Sequence, residues 1–144
     1  MKEWSINDKS GKWLLMDLFN KMDYAMLNFD ADNKKLALKF AKKLLKRFGK
    51  DFDIYFRRSS SGKGFHFVVC DSKTKIPLYL PKAMVLKIRK QVGDDYGRIA
   101  VDKIRIRQDR VISILFDNKN DRNAGRWIKL KLLKQIKKMK VKRK

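Results

Sequence analysis

DFDIYFRRSSSGKGFHFVVC, Asp51 to Cys70, carries two apolar alternations separated by a run of serine and glycine. Phe52, Ile54 and Phe56 alternate with Asp53, Tyr55 and Arg57; Phe65, Phe67 and Val69 alternate with His66 and Val68. A period of two in aromatic and β-branched residues, broken by turn-forming residues, predicts a β-hairpin. Successive side chains of a strand point to opposite faces, so the phenylalanines go to a core. His66, the single histidine of the chain, goes to the other face with Tyr55 and Arg57.

The flanking segments supply the rest of a sheet and its covering helices. Upstream, DYAMLNFDAD alternates and predicts a strand from Tyr24 to about Ala31. NKKLALKFAKKLLKRFGK then sets Leu36, Phe40, Leu44, Leu45 and Phe48 on one helical face, with lysines opposite and a stop at Gly49. Residues 12–22 have helical spacing, with Ser10 placed to cap. Downstream, Pro81 opens a helix that ends at Gly93, RIAVDKI and DRVISILFD read as two further strands, and the segment from Gly125 starts as a helix and becomes a basic tail. The fold class is therefore α+β. Its β-α-β-β-α-β core forms an antiparallel sheet with helices on one face, in an RNA-recognition-like arrangement, flanked by N- and C-terminal helices. No linker divides the chain, so residues 1–144 form a single domain, with a core over 24–119 and a basic helix and tail over 125–144.

Charge narrows the partners. Lys and Arg number 38 against 15 acids, a formal net charge of +23, which attracts a polyanion. From Lys129 onward nine of sixteen residues are Lys or Arg and none is acidic, so the tail binds phosphate backbones. Apolar runs fall well short of the roughly 20 residues that span a bilayer, which argues against a membrane partner. Cys70 is the only cysteine, so a disulfide framework and a cysteine-rich zinc site are excluded. The polar opening MKEWSINDKSGK and the lone thiol together predict a cytoplasmic chain.

In a chain this basic, outward-facing carboxylates call for an explanation. Strand parity places Leu27, Phe29 and Ala31 in the core and sends Asp30 and Asp32 outward; reading RIAVD as a strand sends Asp102 outward too. Asp30, Asp32, Asp102 and His66 thus share one uncovered sheet face. Carboxylates at i and i+2, joined by a third from another strand, offer hard oxygen ligands to Mg²⁺ or Mn²⁺. Two such ions suit in-line phosphoryl or nucleotidyl transfer. Ser61, Gly62, Lys63 and Gly64 add a phosphate-binding loop, in which glycines let backbone N–H groups approach oxygens, and His66 follows as a further contact. Asp32 or Asn33 also stands where a cap for the following helix is needed, an alternative that leaves Asp30 unexplained.

LNFDAD followed by SSGKGFH resembles the first two signatures of the archaeo-eukaryotic primase superfamily, and RIAVDKIRIRQDRVISILFDNK resembles the third. The resemblance spans about Tyr24 to Lys119 and implies template-directed joining of nucleoside triphosphates on single-stranded DNA or RNA, with two Mg²⁺ or Mn²⁺ ions. It implies Asp30, Asp32 and Asp102 as catalytic metal ligands, with Asp117 a rival to Asp102, and Ser61, Lys63 and His66 as nucleotide contacts. A helicase or an accessory primase subunit is a further implied partner. Tyr55, Arg57, Arg105, Arg107, Lys137 and Lys138 are the candidate nucleic-acid contacts. Many members of that superfamily carry a zinc-binding element, for which one cysteine does not suffice. Two other classes stay open: a catalytically silent nucleic-acid-binding accessory protein, and a metal-dependent nuclease built on the same carboxylates.

Overall fold

A computed structural model of the chain describes residues 7, 23–110, 112–113, 118–119 and 122–140. It is an α+β structure with antiparallel sheets. The predicted hairpin is present as β3 (Phe52–Arg58) and β4 (Phe65–Asp71), paired from Phe52 opposite Asp71 to Arg58 opposite Phe65. Upstream of it the predicted single strand is broken at Leu27 into β1 (Tyr24–Met26) and β2 (Asn28–Ala31). Leu27 donates its N–H to Leu78 and accepts from Val69, so the chain changes partner there. β1 pairs with a short strand, β5 (Tyr79–Pro81), and β2 pairs with β4.

Helix α1 (Lys34–Phe48) connects β2 to β3, and β4 lies between those two strands. Asn33 caps α1, its side chain accepting from the Leu36 N–H at 2.9 Å. Capping therefore accounts for Asn33 and leaves Asp32 to be explained. Ala37, Phe40, Ala41 and Leu44 of α1 are buried against the sheet. Phe40 meets Phe29 and Phe67 edge to face, with ring centroids 6.5 and 6.3 Å apart, a geometry that aromatic quadrupoles favour. The predicted parity holds: Phe29, Ile54, Phe56, Phe65, Phe67 and Val69 are all in this core.

Helix α2 (Lys82–Val92) ends, as expected, at Gly93, whose φ of 96° is the left-handed conformation glycine tolerates. The next segment departs from the reading above. RIAVDKI is no strand; it lies inside α3 (Tyr96–Arg107), capped by Asp95, which accepts from the Gly97 N–H. Its β-branched residues suggested extension, but the helix turns only Ile99 and Asp102 fully inward and leaves Val101 and Ile104 in water. The inward face is held by charge, because Asp102 meets the buried Arg89 of α2.

The C-terminal segment also differs. Two residues each form β6 (Asn118–Lys119) and β7 (Arg122–Asn123), a small separate ladder. Residues read as the start of a helix instead form β8 (Ile128–Lys129), which pairs with β3 and completes a four-stranded sheet of order β2-β4-β3-β8. Among the described residues of this segment only Lys134–Lys137 are helical, as α4, tied to α1 by Lys34, whose ammonium donates to the carbonyls of Lys137 and Met139. The helix predicted over 12–22 lies outside the described residues, and so does Asp117. Five of the nine residues of the strand predicted over 109–117 do too; Asp109, Arg110, Ile112 and Ser113 are described, and none is in a strand. No helix among the described residues is long and apolar enough to cross a membrane.

Candidate functional site

The outward parity of the sheet is not uniformly uncovered. Over β3 and β4, Val68, Cys70 and Trp127 form a second buried cluster against which Met26 and Tyr55 pack. Asn7 holds Trp127 in place: the Asn7 amide donates to the Trp127 carbonyl at 3.0 Å, and its oxygen accepts from the Trp127 N–H at 2.9 Å. The signal for this cover was present in Val68 and Cys70, two apolar residues of β4 on the outward parity. Burial also pushes the Cys70 thiol up, so it is not a ready nucleophile.

Beyond that cover the sheet surface opens into a hollow of about 220 Å³ lined by Asp30, Ala31, Asp32, Ser59, Ser60, Ser61, Gly64 and His66. Local backbone chemistry builds it. Asp30 of β2 lies directly opposite His66 of β4, and His66 lies opposite Arg57 of β3, so the three form one row across the sheet. Gly64 comes so close to β2 that an added Cβ would collide with the carbonyl oxygen of Ala31. That approach draws the serine loop against Asp32, and only glycine permits it. Gly62 makes the turn itself, at φ 76°.

Within the loop, Ser59 Oγ and Ser61 Oγ are 2.9 Å apart. They also accept from the backbone N–H groups of Gly64 and Lys63, each at 3.2 Å. The amides expected to cradle a phosphate are thus held by hydroxyls, which an incoming anion can displace while Ser59 and Ser61 turn to donate. Lys63 is exposed at the loop tip and does not line the hollow.

The two aspartates are not alike. Asp32 is exposed, whereas Asp30 is mostly enclosed. Burial raises the Asp30 carboxyl from 3.8 to about 6; Arg98 opposes the rise, and Asp32, Asp94 and Asp95 add to it. His66 Nε2 stands 3.8 Å from Asp30 Oδ1. On the edge of β2, the Asp30 N–H donates to Asp94 Oδ1 at 3.2 Å, so a neighbouring carboxylate satisfies an amide that no further strand pairs among the described residues.

Asp102 does not join this hollow. It is buried on α3, where Oδ2 accepts from Arg89 Nη1 at 2.6 Å and from the Ser113 N–H at 3.1 Å, and Oδ1 accepts from Arg105 Nη1 at 3.2 Å. Arg89 Nε donates to Asp94 Oδ2 at 2.6 Å, Arg98 Nη1 donates to the same oxygen at 2.8 Å, and Arg98 Nη2 donates to Asn28 Oδ1 at 2.7 Å. Asn28 closes the circuit by donating to the Ser113 carbonyl at 2.7 Å. This network pins α2 and α3 to β2. Sequence reasoning missed Asp94 and Arg98 because it placed Arg98 on a strand.

The candidate nucleic-acid contacts separate in the same way. Arg57, expected on an open surface, is buried, with its guanidinium carbon 4.3 Å above the centre of the Trp127 ring. Tyr55 packs on the Trp127 cluster. Arg105 is half-buried beside Asp102, whereas Arg107, Lys137 and Lys138 are exposed. Asp30 and Asp32 are the carboxylates of the hollow, and among the described residues no three His, Cys, Asp or Glu side chains converge as a metal cage. No protein-family model, characterised protein sequence or solved structure matches the chain.

Proposed function

We propose that the chain is a metal-dependent, template-directed nucleotidyltransferase of primase or primase-polymerase type, acting on single-stranded nucleic acid in the cytoplasm. One observation carries this reading: Asp30, Asp32, the serine loop and His66, taken from two stretches of sequence nearly thirty residues apart, line one hollow. The order β2-β4-β3, with α1 crossing between the two outer strands, supports an RNA-recognition-like core. β8 beside β3, rather than a strand beside β2, is where the described sheet departs from that plan.

Asp30 and Asp32 fit a single Mg²⁺ or Mn²⁺, since such ions take one or two carboxylates and leave their other positions to water and phosphate. A cation there would neutralise triphosphate charge and acidify an attacking hydroxyl. The chain's own groups would do the rest: Ser59 and Ser61 hydroxyls and the His66 ring would orient the phosphates, and Lys63 at the tip would screen them. Exposed Arg107, Lys137 and Lys138 would hold the template backbone by charge.

The commitment of Asp102 to Arg89 favours a second reading, a catalytically silent nucleic-acid-binding accessory protein, because the described residues offer no third carboxylate for a second ion. Incorporation of labelled nucleotides on a single-stranded template with Mg²⁺ or Mn²⁺ separates the two. The enzyme reading expects incorporation that Asp30→Ala and Asp32→Ala each reduce by about a hundredfold or more, the scale of losing a group that acts on the reacting charge. A wild type inactive across templates and metals would leave the binding protein as the reading.

A further inference from the structure

Arg57 is the least expected of the site's neighbours. The sequence offers it as a surface cation for a template, yet it is 4 % exposed and its Nε donates to His66 Nδ1 at 3.0 Å. Counting back from the turn pairs the two residues, and the register places them directly opposite on β3 and β4. The other side of the guanidinium is occupied as well, by the Trp127 ring 4.3 Å away. Trp127 is in turn clamped by both hydrogen bonds from Asn7.

A guanidinium carries only donors and does not lose its charge in proteins. Whatever accepts from Arg57 Nε must therefore present a lone pair, so His66 Nδ1 carries no proton. In a neutral imidazole the proton then resides on the other nitrogen, Nε2. His66 lines the hollow, and Nε2 is the nitrogen turned toward Asp30.

We infer that Arg57 is a positioning residue that fixes His66 in the Nε2–H form, so that the ring offers the hollow a hydrogen-bond donor and no lone pair. In that form His66 is suited to an anionic oxygen such as that of a phosphate, and unsuited to binding a metal through Nε2 or to acting as a base there. The claim about the ring stands on the Arg57 contact alone; the choice of a triphosphate as its ligand rests on the nucleotidyltransferase reading. Trp127 and Asn7 extend the device, because they hold the guanidinium against the sheet and out of water.

His66 is the only histidine, so the two ring nitrogens can be observed in the full chain by ¹⁵N–¹H correlation without ambiguity. The wild type is expected to show a protonated Nε2 and a bare Nδ1 at neutral pH. Arg57→Met, which keeps the length and the stack on Trp127 but removes the donor, is expected to yield a mixture of tautomers. It should also weaken binding of inorganic tripolyphosphate about tenfold, the effect of losing one hydrogen bond to a charged group. A wild-type spectrum with the proton on Nδ1 overturns the inference whether or not the variant folds, and so does an Arg57→Met spectrum identical to that of the wild type. A ring that responds to Arg57→Met in a chain that binds no tripolyphosphate supports the Arg57 assignment and removes the triphosphate reading.

Discussion

Two clusters of acid and base flank β2, and they differ in what their carboxylates touch. On the α2/α3 side, Asp94 and Asp102 are nearly sealed from water, and their oxygens meet Arg89, Arg98, Arg105 and backbone N–H groups at 2.6 to 3.2 Å. On the sheet surface, Asp30 and Asp32 line a hollow beside serine hydroxyls, and His66 Nε2 stands 3.8 Å from Asp30. In a chain of net charge +23, acids that find arginines become struts, and acids kept apart from them become a place for a ligand. Burial separates the two less well than pairing does, since Asp30 is itself mostly enclosed.

The largest effect that tests this contrast comes from the strut side. Asp102→Ala leaves the Arg89 charge buried with one partner fewer, and breaking a buried ion pair in this way destabilises a domain by about 3–5 kcal/mol. Urea unfolding should show the loss, with Asp102→Asn falling between the variant and the wild type. If Asp102→Asn instead left stability unchanged and abolished nucleotide incorporation, Asp102 would be the third acidic ligand after all, and the two clusters would be one site.

That ambiguity shows which parts of the molecule could be read from residue order. The hairpin, α1 and the end of α2 were legible because each has a strong local cause: alternation in Phe52–Phe56 and Phe65–Val69, an amphipathic stripe stopping near Gly49, and Gly93 at positive φ. Parity on β2 and β4 then brought Asp30 and His66 together correctly. Asp102 was misplaced because the inner face of α3 carries an ion pair where a hydrophobic stripe would have announced a helix, while its exposed Val101 and Ile104 imitate a strand. Arg57 was misread for a related reason. Its burial depends on Trp127, seventy positions away, and no local pattern reports that contact.

A smaller effect comes from the hollow itself. With its carboxyl raised from 3.8 to about 6, folded Asp30 holds a proton that the unfolded chain releases, so this group destabilises the fold as pH rises through that window and does so fully above about 6. Asp30→Asn should therefore stabilise the chain at pH 7, by about 1 kcal/mol after discounting for the third of the side chain that water reaches, and should give no gain below pH 3.8. Thermal melts at the two pH values check this. A destabilised Asp30→Asn chain at pH 7 would make Asp30 a strut like Asp102.

The most direct measurement is calorimetric titration of Mn²⁺ into the full chain at pH 7, for the wild type and for the double variant Asp30→Asn, Asp32→Asn. A stoichiometric site that disappears in the double variant, while Asp102→Asn retains it, is the predicted result. No stoichiometric uptake by the wild type, or uptake that survives the double variant, would contradict the assignment of this hollow as a metal-dependent nucleotidyl-transfer site.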